Sequence, residues 1–201
     1  VAAAAVAALV WGLSQGWADP PRAGPLLWHD DFGGGAARWE LHAPAGGSLT
    51  PQASGLLAEF TAPDQSAYAL TPGPAGDFTF ELTGAQVEGE IGAAYGLIFG
   101  WQDETHYGAA LVNGNGYAEA YRQSGPKRQR WFEWQQWPNI LLGAAGNRVR
   151  VDVRGGQATV RINDEVLVAA EAGGAGKIGV LARGAGPGSV RFGWAQVWAR
   201  P

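Results

Sequence analysis

The segment NRVRVDVRGGQATVRIND, residues 147–164, constrains the fold more than any other in this chain. Val149, Val151 and Val153 fall on one face of an extended strand and Arg148, Arg150, Asp152 and Arg154 on the other, because successive strand side chains point to opposite sides. Gly155-Gly156 then supplies the positive φ of a tight turn, and Ala158, Val160 and Ile162 resume the apolar face. The pattern predicts a half-buried antiparallel hairpin.

The same alternation recurs along the chain. DFTFELT sets Phe78, Phe80 and Leu82 inward and Asp77, Thr79, Glu81 and Thr83 outward. Further strands are expected in LLWHDDF, RWELH, GLLAEFT, SAYALT, AAYGLIFGW, YGAALVN, GYAEAYR, RWFEWQQW, GKIGVLA and SVRFGWAQVW, with Gly, Pro, Asn and Asp turns between them. No stretch inside the domain sustains a helical period for three turns. About a dozen short strands without crossover helices predict an all-β fold, an antiparallel two-sheet β-sandwich.

A chain of 201 residues suits one such domain, and 46% hydrophobic against 16% charged residues is too apolar for a disordered polymer. The net charge of −4 and the scattered Arg residues provide no basic stripe for a phosphate backbone, so nucleic acid is not an expected partner. With no Cys, disulfides, thiolate metal sites and cysteine nucleophiles are excluded together. With no Met, the chain reads as processed, truncated or begun at an alternative start codon.

Residues 1–18, VAAAAVAALVWGLSQGWA, are expected to be a secretory signal peptide or a membrane-anchor segment, with an Ala-rich helix packed on the domain as the third reading. Either of the first two places the rest of the chain outside the cytoplasm, secreted or membrane-anchored. Residues 19–25 form a proline-rich spacer, since proline holds the backbone extended, and the sandwich domain is expected over 26–201.

Several segments taken in order, LWHDDFGGGAARWEL, YGLIFGWQDETHYGAALVNGNGYAEAYR, GNRVRVDVRGGQATVRINDEVLV, GKIGVLA and VRFGWAQVW, resemble the concanavalin A-like lectin/glucanase jelly rolls. Within that superfamily they look most like the laminin-G-like domains of bacterial secreted and surface proteins. The resemblance implies a jelly roll with one concave sheet on which glycans are bound or, in some members, hydrolysed. It departs from the family at Gly100, where an Arg is common, and at Gly193 and Trp194, where polar residues are frequent.

The glucanase branch carries its acid and nucleophile on one strand, and retaining hydrolysis needs two carboxyls about 5 to 5.5 Å apart. The nearest counterpart is Glu88 and Glu90 in VEGEIG, which lacks the middle Asp, so no catalytic residue is assigned. His29, His42 and His106 have no zinc-ligand spacing and read as surface or turn residues. In HDDF, Asp30 and Asp31 supply few of the six to eight oxygens that calcium takes. No cofactor is expected, and a structural calcium at Asp31 is the one candidate metal. The glycines of EAGGAGKIG lack the spacing and the Ser/Thr of a phosphate loop.

RWFEWQQWPN, residues 130–139, concentrates three Trp and one Phe. As a regular strand it would place Trp131, Glu133, Gln135 and Trp137 on an open face and Phe132 and Trp134 inward. Exposed rings beside amide and carboxylate groups suit a sugar, whose C–H faces stack on aromatics. Tyr117, Glu119 and Tyr121 share a face of the neighbouring strand, and Trp101 ends another. The expected carbohydrate-binding set is therefore Trp131, Trp137, Glu133, Gln135, Trp101, Tyr117 and Tyr121. Three functions stay open: a non-catalytic module recognising a glycan or cell-surface polysaccharide, a membrane-anchored module contacting surface or membrane proteins, and a glycoside hydrolase of the same superfamily.

Overall fold

A computed structural model describes residues 5–6, 24–35, 37–89 and 91–200. Most of the expected export segment and spacer, and Glu90 of the carboxylate pair, lie outside the described residues. The fold is the all-β, two-sheet antiparallel sandwich that the alternation predicts.

The first sheet runs β13 (Glu165–Glu171), β12 (Gln157–Ile162), β11 (Asn147–Arg154), β6 (Phe78–Gly89), β15 (Gly188–Ala199), β4 (Gly55–Phe60) and β3 (Ser48–Gln52). The short β1 (Leu26–Asp30) pairs with the second half of β15. The second sheet runs β10 (Lys127–Gln136), β9 (Tyr117–Ser124), β8 (His106–Asn113), β7 (Ala94–Asp103), β14 (Lys177–Arg183), β5 (Ser66–Thr71) and β2 (Glu40–His42). β3, which no alternation marked, contains Pro51 and lies at a sheet edge, where a missing backbone donor costs no ladder bond.

The expected hairpin forms in the expected register, with Val149 opposite Ile162, Val151 opposite Val160 and Val153 opposite Ala158. Gly155 and Gly156 take φ of 54° and 78° in its turn. These valines join Phe78, Phe80 and Leu82 and, from the second sheet, Tyr95, Leu97, Phe99, Val112 and Val180 in one core between the sheets.

The outer faces of the two sheets differ. On the first sheet, Thr79, Glu81, Arg150 and Asp152 point away from the core as predicted, yet all are buried. Asp152 Oδ1 accepts hydrogen bonds from Thr79 Oγ1 at 2.7 Å, Arg150 at 2.8 and 3.0 Å and Arg200 at 2.8 Å, and Arg161 lies 3.5 Å from Oδ2. A buried polar network centred on Asp152 covers this part of the face. The outer face of the second sheet instead carries a separate apolar cluster of Leu70, Ile98, Ala109, Leu111, Tyr121 and Leu181.

Candidate carbohydrate site

The second sheet's outer face is built by strand parity. Ala118 and Ala120 of β9 point into the inter-sheet core, which sends Tyr117, Glu119 and Tyr121 outward. On β8, Tyr107, Ala109 and Leu111 point outward by the same rule, and on β5 Tyr68 and Leu70 do.

Trp101 reaches this face by an irregularity. Alternation from Leu97 and Phe99, both in the inter-sheet core, would turn Trp101 inward. Gly100 adopts φ of 58°, and the ladders to β8 and β14 both shift register there, so the ring crosses to the outer side. A Cβ at Gly100 would also stand 2.8 Å from the Gly174 carbonyl oxygen. Gly100→Ala is expected to cost about 1–2 kcal/mol, the penalty of a left-handed non-glycine residue, which urea denaturation will read. It should also quench the Trp101 environment change on ligand addition.

The result is a chain of rings crossing the sheet. His42 stacks on Tyr68 at 4.5 Å between centroids, Tyr68 meets Trp101 at 5.0 Å, and Trp101 stacks on Tyr107 at 5.0 Å. Tyr107 meets Tyr121 edge-on at 6.0 Å, and the Arg128 guanidinium lies over the Tyr121 ring at 4.1 Å. Tyr68, Trp101, Tyr107 and Tyr121 wall an open pocket of about 430 Å³ whose floor is Ile98, Leu111 and Leu181. That volume falls within the range of small-ligand sites.

Polar groups stand around the apolar floor. Asp64, Ser66, Glu104, Arg128 and Arg183 line the pocket, with Ser66 the Cα partner of Arg183. Glu119, only 6% exposed, forms an ion pair with Arg183. The Tyr68 hydroxyl points at Glu104 Oε1, 3.5 Å away. Burial, with the Glu104 carboxylate second, pushes the Tyr68 phenol up from its ordinary value, and burial does the same to Tyr121. Both hydroxyls therefore stay protonated at neutral pH and can donate as well as accept.

The turn beside the pocket is tied by Asp103, which accepts from the Thr105 backbone N–H and hydroxyl, each at 2.7 Å, and faces His106 Nδ1 at 3.0 Å. The Thr105 hydroxyl, its backbone N–H and His106 hold the Asp103 carboxyl down to about 2 from 3.8. A depressed carboxyl stabilises the fold above its unfolded value, and that contribution is lost as pH falls through the folded one. The raised phenols of Tyr68, Tyr95 and Tyr121 act oppositely, because the native state keeps protons that an unfolded chain releases above about pH 10. Stability should fall as pH rises past that point, and the 295 nm absorbance of native protein should show these phenols titrating late.

The expected platform on RWFEWQQWPN is corrected. The β9–β10 ladder shifts register between Arg130 and Phe132 and again between Phe132 and Gln135, so simple alternation breaks. Trp131 and Phe132 both pack against the inter-sheet core, Trp131 with its ring 6.1 Å from Phe99. Trp137 also packs there, edge-on to Phe132 at 5.6 Å, with its indole N–H buried. Trp134, expected inside, is 38% exposed. Glu133 and Gln135 are exposed on this edge strand and line no part of the pocket. Trp101 and Tyr121 wall the pocket, and Tyr117 shares their face beyond it.

Tyr68, Tyr107, Arg128 and Arg183 were not singled out from sequence. The signal that pointed to them is the pair of continuous apolar runs YGLIF and GAALV, which in an antiparallel sandwich mark strands with both faces out of water.

Of the other acidic candidates, Asp30 accepts the Phe32 N–H at 2.8 Å and the Trp39 indole at 2.9 Å, and Asp31 accepts the Gly33 N–H at 2.9 Å. Their oxygens tie the loop after β1. Among the described residues no group of three or more His, Asp and Glu could hold a metal ion.

Solved structures share this architecture. A carbohydrate-binding module, CBM66, from Bacillus subtilis is 14% identical with a TM-score of 0.62, covering 81% of this chain and 96% of that one. A β-1,3-glucanase from Mycobacterium marinum is 15% identical with a TM-score of 0.59, covering 88% and 100%. A non-specific endo-β-1,3(4)-glucanase of family GH16 is 9% identical with a TM-score of 0.64, covering 90% and 93%. At these identities the likeness is one of fold, the antiparallel two-sheet sandwich. No family model and no curated relative matches the chain.

Proposed function

We propose that this chain is a non-catalytic carbohydrate-binding module, of laminin-G-like kind and working outside the cytoplasm, that holds a glycan or cell-surface polysaccharide on the outer face of its second sheet. The observation that carries the reading is the pocket itself: an apolar floor, a wall of Tyr and Trp rings, and phenol, guanidinium and carboxylate groups around the rim. A sugar presents the matching surface, with apolar C–H faces for the rings and hydroxyls for the polar groups. The fold neighbours support the same reading, since they include a carbohydrate-binding module.

Non-catalysis is the part that rests on the carboxylates. Glu119 is taken up by Arg183, and Glu104 lies beside the Tyr68 hydroxyl on the rim. The carboxylates that line the pocket are Asp64 and Glu104, and hydrolysis would need the two to stand on either side of one sugar bond. The test is a panel of soluble polysaccharides titrated into the full chain and followed by tryptophan fluorescence, with reducing-end release measured in parallel. Saturable shifts without release of reducing ends are expected. Release of reducing ends would make the chain a hydrolase, and a flat response across the panel would remove the carbohydrate reading.

A further inference from the structure

Resting on that reading, we infer that the ligand is a chain of sugars, and that Tyr117 and Trp134 form a second, separate subsite for it. Trp134 comes from edge strand β10 and is 38% exposed, and its ring stacks on Tyr117 of β9 at 6.1 Å with the planes 24° apart. An exposed Trp134 stacked on a half-buried Tyr117 presents an apolar ring surface beside water. Gln136, the Cα partner of Tyr117, adds an exposed amide next to the rings.

The pair lies on the pocket's own face. Tyr117, Glu119 and Tyr121 alternate outward along one strand, and Tyr121 walls the pocket. Four residues of strand separate Tyr117 from Tyr121, about 13 Å, which is the length of a short oligosaccharide and beyond the reach of one ring.

Between them lie Leu111, Glu119 and Arg183. Leu111 lines the pocket and is the Cα partner of Glu119, and Arg183 lines the pocket while binding the Glu119 carboxylate. Glu119 therefore lies midway between the ring wall and the Tyr117–Trp134 stack. The Arg183 guanidinium, held in place by the Glu119 carboxylate, offers donors to hydroxyls of a chain running along β9. A single sugar fills the pocket alone, and a longer chain gains the second stack.

The test uses an oligosaccharide ladder, from disaccharide to hexasaccharide, cut from the polysaccharide that binds best in the panel, titrated calorimetrically into the full chain. Affinity should rise with length and then level off. Trp134→Ala should remove that rise, weakening the longest ligand on the order of tenfold, about 1.4 kcal/mol, while leaving the disaccharide unchanged. Trp134→Phe, which keeps a ring, should restore most of the rise, and unchanged melting of both variants will show that the exposed ring was not holding the fold. Equal affinity for short and long ligands, or a length gain that survives Trp134→Ala, would overturn the second subsite and leave the carbohydrate reading standing. Failure of every polysaccharide in the panel would remove both.

Discussion

Asp152→Ala should destabilise the protein by about 3–5 kcal/mol, the cost of deleting one partner from a buried ionic network. The carboxylate gathers Arg150, Arg161 and Arg200, and Arg150 is only 2% exposed. Removing it leaves three guanidiniums crowded on one face with Glu81, 3.9 Å from Arg150, as the remaining nearby acid. In a chain of this size the loss corresponds to a fall in Tm on the order of 10 °C. Asp152→Asn retains an acceptor for Thr79 and should lie between the two, and differential scanning calorimetry of the three proteins checks the order.

Trp101→Ala is the variant expected to reduce glycan binding most, by roughly thirtyfold or more, the scale of an interface hot spot. Trp101 is the middle ring of the chain, touching Tyr68 on one side and Tyr107 on the other. Its loss removes one wall and frees both neighbours to rotate. Trp101→Phe preserves a ring and should lose far less. Calorimetric titration of the best-binding polysaccharide against both variants, beside their melting curves, separates a lost contact from a loosened fold. Equal binding by Trp101→Ala and the parent protein would place the ligand elsewhere.

Alternation made the sandwich legible because its strongest strands bury one face and wet the other. The β11–β12 hairpin, with its glycine turn and its Val149, Val151 and Val153 face, could be written down from the residues alone. The site was harder to read, for two physical reasons. Bulges change parity, and parity is all that a sequence offers: those in β10 sent Trp131 and Trp137 to the core and Trp134 outward, and the one at Gly100 brought Trp101 out. The departure noted at Gly100 was the visible trace of that irregularity.

Sheet order is the second reason. Tyr68 and Trp101 meet because β14 lies between β5 and β7, and nothing in either strand's own residues states that neighbourhood. From sequence, Trp101 was read at a strand end and Tyr117 and Tyr121 on one face of a neighbouring strand. Tyr68, Tyr107 and Arg128 became visible only when the six strands from β10 to β5 were set side by side.

The measurement that tests the central claim most directly is the set of Trp indole N–H resonances of the 15N-labelled protein, recorded as the best-binding oligosaccharide is added. The eight tryptophans among the described residues report from both sheets at once. The account predicts that Trp101 and Trp134 shift with the ligand, while Trp39, Trp137 and Trp198, buried or packed on the core, stay in place. Shifts confined to Trp194 and Trp198 of the first sheet, or no shift with any glycan that the protein is offered, would contradict it.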